Sequence, residues 1–144
     1  MLNNNQISLI RKFNRQYTNT LGLMNKQVFN TDLSFPEARI LMAIRYETTP
    51  MNVANTLNLD ASYTSRVLKK LTKLDYIKKT ASITDARSKN ISLTDKGKKL
   101  LVLIDKDSDV QIQNLIGNLN QVQQEELYAA FNKINNILFE NNGD

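Results

Sequence analysis

The sequence predicts a mainly α chain (α+β) that carries one small β-hairpin. Two observations predict this. Apolar residues recur at helical spacing over most of the 144 residues, divided by cap signals into six helices, and the period drops to two only between Ile77 and Thr94.

The elements follow in order. Ile7, Ile10, Asn14, Tyr17, Leu21, Met24 and Val28 step by three or four, and Phe13 widens the stripe, so the first thirty residues read as one amphipathic helix. Ser34-Phe35-Pro36-Glu37 sets a capping hydroxyl three residues before a carboxylate, with Pro in the first turn, where its missing N–H costs nothing. Ala38, Leu41, Met42 and Arg45 continue that helix. Thr49-Pro50 repeats the signal and opens a short third helix with Val53, Ala54 and Leu57 inward. Asn58, which tolerates left-handed backbone, ends it.

Asp60 caps a fourth helix over 60–74, with Thr64, Val67, Leu68 and Leu71 inward. An extended run from Ile77 to Ala81 and an alternating one from Asn90 to Thr94 then form a hairpin around the polar stretch 82–89. Asp95 is expected to cap a helix reaching Ile116, and Asn120, with Gln123 three residues on, to cap the last.

Absences bound the chemistry. There is no Cys, which excludes disulfides and thiolate sites, and no His, the commonest general base and metal ligand. No Gly-rich phosphate loop or convergent carboxylate pair is present, so no catalytic residue, metal or cofactor is expected. No apolar run reaches the roughly 18 residues of a membrane span, and the N-terminus lacks a signal-peptide core, so a soluble, cytoplasmic protein is expected.

Charge is concentrated. Residues 60–99 hold eleven Lys or Arg against four acids, whereas the whole chain is only +5. A net-acidic body with one basic module points to a polyanion partner. The inward stripe of the fourth helix leaves Ala61, Ser62, Ser65, Arg66, Lys69 and Lys73 on its other side. Small residues in the first turn let such a helix approach the floor of a major groove. Ser62, Tyr63 and Ser65 can donate to bases or phosphates, and Arg66 has the fork for guanine or phosphate. Lys69, Lys70 and Lys73 suit phosphates. Arg87 near the hairpin tip, with Lys89 beyond it, suits a narrow minor groove, and Asp85 can fix the Arg87 side chain.

Helix, short helix, tight turn, helix and hairpin is the order of a winged helix-turn-helix. The run Leu57 to Leu71 resembles the helix-turn-recognition helix of the MarR family of bacterial transcriptional regulators. Asp85-Ala86-Arg87-Ser88 resembles its D-x-R-S wing signature, and Leu93-Thr94-Asp95-Lys96-Gly97 its L-T-x-x-G. Three positions depart from the family pattern: Asp75 stands where Gly is usual, Lys79 where Arg is usual, and Thr64 where an aliphatic residue is usual.

The resemblance implies an N-terminal dimerisation helix over 1–32, a DNA-binding domain over 33–96 and C-terminal dimerisation helices over 97–144. It implies a homodimer on a palindromic operator in double-stranded DNA, with helix 60–74 in the major groove and wing 82–90 in the minor groove. Such proteins are usually repressors released by a small ligand. The long apolar stripes at both chain ends agree with a dimer. With Cys and His missing, an aromatic or lipophilic organic effector is expected, and Phe13, Arg15, Tyr17, Phe35, Met42 and Tyr46 are candidates for its pocket. The competing reading is a winged-helix module for protein or RNA contacts, which clustered charge and the lack of an aromatic stacking platform disfavour.

Overall fold

Caps decide where the helices begin. A computed structural model of the chain describes residues 1–81 and 89–140. Helix α1 spans Asn4–Leu21, α2 Phe35–Ala43, α3 Pro50–Leu57 and α4 Ala61–Lys73. Strands β1 (Ile77–Ala81) and β2 (Lys89–Leu93) pair antiparallel, with Ile77 opposite Leu93. Helix α5 spans Asp95–Ile116, and α6 spans Gln121–Asn135 and runs into a π-helical stretch, Asn136–Glu140. Six α-helices and one hairpin among the described residues make the winged-helix arrangement.

The capping boxes at Ser34/Glu37 and Asn120/Gln123 and the caps at Thr49 and Asp60 form as the sequence predicts. Asn58 closes α3 in the left-handed region (φ 53°), so α4 can leave in a new direction.

Three expectations are corrected. The first helix does not run through residue 28: Gly22 adopts φ 69° and donates its N–H to Thr18 and Asn19 carbonyls, which terminates α1 at Leu21. Val28 is instead buried in the following loop, where its N–H donates to the Leu33 carbonyl at 2.8 Å. The cap of α5 is Thr94, not Asp95, because the Thr94 hydroxyl accepts the Gly97 N–H at 3.1 Å. The second strand also begins one residue earlier than expected, at Lys89. The hairpin tip, with Asp85 and Arg87, lies outside the described residues.

The chain divides into two compact units, residues 1–107 and 108–144, with the division inside α5. The first contains one core. Ile40, Leu41 and Ile44 from α2, Val53 from α3, Val67, Leu68 and Leu71 from α4, Ile77 and Ile91 from the hairpin, and Leu101 and Ile104 from α5 are all buried together. Thr64 is buried with them at 1% exposure, and its hydroxyl donates to the Asp60 carbonyl at 2.9 Å, so a polar group replaces the aliphatic one without an unsatisfied atom. No residue of α1 is buried, and Ile7, Ile10 and Phe13 on it are exposed. In the second unit no residue of α6 is buried either, and Val122, Tyr128 and Ile134 are exposed.

No described helix is long and apolar enough to cross a membrane.

Candidate nucleic-acid interface

Helix α4 is the strongly two-sided element. Asp60 accepts the Tyr63 N–H at 3.0 Å and fixes its start, and Lys70 and Lys73 occupy the last turn, where positive charge complements the helix dipole. Thr64, Val67, Leu68 and Leu71 are buried, which forces Ala61, Ser62, Ser65, Arg66, Lys69, Lys70 and Lys73 into solvent. The predicted outward set is therefore brought onto one exposed face. Tyr63 is the exception, since its ring is half-buried against the core. The Arg66 guanidinium stands 5.9 Å from the centre of that ring, a contact that holds the arginine over the first turn.

Lys70 has a partner already. Its ammonium lies 2.8 Å from Glu37 Oε2, and Glu37 Oε1 also accepts the Ser34 N–H at 2.8 Å. One carboxylate thus closes the capping box of α2 and ties α2 to α4. Burial alone raises the Glu37 pKa, but hydrogen bonds from Lys70 and Ser34 outweigh it and hold the carboxyl below its usual range. A carboxylate with a depressed folded pKa contributes stability above its unfolded pKa and loses it as pH falls through the folded value. Comparing Glu37→Gln with wild type by chemical denaturation should therefore give a stability gap that is full at pH 7 and closes below about pH 4. A gap independent of pH would assign the effect to shape instead.

The turn after α4 is clamped from the wing side. Asp75 takes the left-handed conformation (φ 66°) that Gly serves elsewhere, which Asp tolerates. The Thr94 hydroxyl donates to the Asp75 carbonyl, the Thr94 N–H donates to the Tyr76 carbonyl at 3.0 Å, and Lys96 donates to the Leu74 carbonyl at 2.8 Å. A Cβ on Gly97 would stand 2.1 Å from the Tyr76 carbonyl oxygen, so this L-T-x-x-G glycine is required for α5 to approach the turn.

The wing base is held separately. Thr48 and Ile91 exchange both backbone bonds, at 2.7 and 3.1 Å, and the Thr80 hydroxyl donates to Glu47 at 2.7 Å. Lys78, Lys79 and Lys89 are exposed on the two strands. Lys78 and Lys79 add to the basic surface beyond the residues named from sequence. They are consecutive on β1, so they project from opposite faces of the hairpin, and both are exposed.

The candidate effector residues are only partly collected. Phe13 and Tyr17 stack on α1 with ring centres 5.1 Å apart. Arg15 lines an open depression of about 390 Å3 with Asn14, Thr18, Asn19 and Met24. Phe35 packs against the core, whereas Met42 and Tyr46 are exposed. Neither described cavity joins these six residues. Among the described residues no group of three or more carboxylates could hold a metal ion.

Residues 31–88 match the MarR family by its sequence profile. The match covers the winged-helix segment, 58 of the 144 residues. The fold extends the likeness to the whole chain. A MarR family protein from Bacillus stearothermophilus superimposes with a TM-score of 0.82 at 13% identity, covering 96% of this chain and 99% of that one. FabT of Streptococcus pneumoniae, solved in complex with DNA, gives 0.76 at 17% identity, covering 94% and 98%. A mutant of Escherichia coli MarR complexed with operator DNA gives 0.67 at 21%, covering 93% and 98%. At these identities the match is one of fold. No curated protein matches the chain by sequence.

Proposed function

We propose that the protein is a homodimeric, sequence-specific DNA-binding regulator of transcription, working in the cytoplasm as a repressor that a small ligand releases. The observation that carries the reading is the outer face of α4. Ser62, Ser65, Arg66, Lys69 and Lys73 are exposed on a helix whose other side is locked in the core of a MarR-type module. A rigid basic helix with a small-residue first turn fits a major groove. The wing 82–90, with Arg87 at its tip, is the complementary minor-groove element. Two solved proteins of this fold are held on DNA, FabT and the E. coli MarR mutant. The exposed apolar residues of α1 and α6 supply the subunit interface of a dimer.

The basic face predicts a particular response to salt. Each phosphate neutralised lowers log K by about 0.9 per unit of log salt, so duplex affinity should fall steeply between 50 and 200 mM salt. Fluorescence anisotropy with labelled fragments of duplex DNA measures it. A flat salt response, or equal binding to single-stranded RNA, would transfer the module to the protein- or RNA-contact reading. Arg87→Ala should weaken operator binding by about tenfold or more while melting temperature and dimerisation stay unchanged. Unchanged operator affinity in that variant removes the minor-groove role.

A further inference from the structure

Arg66 is an exposed fork on α4 that no polar group holds. Among the described residues it makes no hydrogen bond or ion pair, whereas Lys70, four residues on, is engaged by Glu37. Its contact is with an aromatic face: the guanidinium carbon lies 5.9 Å from the centre of the Tyr63 ring. Residues three apart on a helix are neighbours, and long helical side chains lean toward the N-terminus, so Arg66 folds back over the first turn.

The ring is itself anchored. Asp60 accepts the Tyr63 N–H at 3.0 Å, which fixes the backbone of the first turn, and the Tyr63 side chain is half-buried against the core. Its hydroxyl makes no hydrogen bond among the described residues. Tyr63 therefore offers Arg66 a flat face in a fixed place. A guanidinium held through its own face keeps every N–H free for another partner. The contact also sets where the fork stands. The N-terminal end of a major-groove helix meets base edges, and an arginine folded toward that end is aimed at them. An arginine swung the other way would join Lys69 and Lys73 over phosphate, where no sequence is read.

We propose that Tyr63 is the positioning residue for base readout by Arg66, acting through its ring and not as a hydrogen-bond donor to DNA. This rests on the DNA-binding reading above and adds to it that sequence preference, separately from affinity, depends on Tyr63.

Selection from random duplexes with the 144-residue chain, followed by fluorescence anisotropy on the selected duplex and its single base-pair variants, tests the role. The base pair read by Arg66 is the one whose preference Arg66→Ala removes. At that pair Tyr63→Leu, which keeps an apolar side chain on the core but removes the ring, should lower discrimination about two- to fivefold per half-site. Affinity for an unselected duplex should stay unchanged. Tyr63→Phe should keep wild-type discrimination, and Tyr63→Leu should have no further effect in the Arg66→Ala background. Tyr63→Met takes its place if circular dichroism shows the leucine variant unfolded. Discrimination unchanged in Tyr63→Leu, lost equally in Tyr63→Phe, or lowered alike at every base pair would overturn the proposal and leave the DNA-binding reading intact. A selected motif that Arg66→Ala leaves unaltered would do the same. No motif selected by the wild-type chain would overturn both.

Discussion

Gly97→Ala is expected to destabilise the winged-helix unit by about 3 kcal/mol, a drop of about 10 °C in melting temperature. The added Cβ would meet the Tyr76 carbonyl oxygen at 2.1 Å and its carbon at 3.0 Å. Both are backbone atoms, so no side chain can swing aside. To relieve the clash, the first turn of α5 must move away from Tyr76. That movement strains the Thr94 cap, the Thr94–Tyr76 bond and the Lys96–Leu74 bond together. The same bonds hold the end of α4, so duplex affinity should fall along with stability. Lys98→Ala, one residue on at an exposed position, should change stability by less than about 0.5 kcal/mol and serves as the control. An alanine variant at 97 as stable as wild type would mean that α5 is not pinned to the turn in solution.

The second large effect belongs to the outer face of α4. Arg66→Ala should cost about 1–3 kcal/mol of operator binding and broaden the sequence preference, because a fork donor to base or phosphate is lost. Lys69→Ala with Lys73→Ala should act differently. Affinity should fall to a similar extent for every duplex, and the salt slope should shrink by about 0.9 for each phosphate contact removed, doubled in a dimer. Lys70→Met supplies a contrast from within the same basic run. Its ammonium is engaged by Glu37, so its loss should leave the salt slope nearly unchanged and cost stability instead, by less than about 1 kcal/mol since the lysine is half exposed. A Lys70→Met variant with as large a slope change as Lys69→Ala would show that the Glu37 pair opens on DNA.

What could be read in the sequence was set by local rules. The cap signals at Ser34, Thr49, Asp60 and Asn120 each involve residues three apart, and the left-handed turn at Asn58 involves one residue, so each was visible without tertiary knowledge. The inward stripe of α4 follows from period alone, and it placed Arg66, Lys69 and Lys73 outside correctly. The end of α1 is hidden in the sequence because the apolar spacing continues past Gly22 by coincidence: Val28 is apolar to fill the core from a loop. Thr94 and Asp95 are equally able caps chemically, and only the bond from the Gly97 N–H shows that the Thr94 hydroxyl is the one used.

Contacts between distant residues left no sequence signal. Glu37 and Lys70 are separated by 33 residues, Asp32 and Tyr76 by 44, and Arg45 and Asp105 by 60. The first of these pairs decides which lysine on the outer face of α4 is already engaged. The candidate interface was thus legible as a face of a helix, while the distinction between Lys69 and Lys70 upon it required the packing of α2 on α4.

Two copies of this module are expected to read duplex DNA as a symmetric pair. Selection of bound sequences from a pool of random duplexes by the purified 144-residue chain tests this most directly. A two-fold symmetric motif should be enriched, with half-sites about one helical turn, 10–10.5 base pairs, apart. Recovery of a pool no different from the starting one at low salt would contradict it.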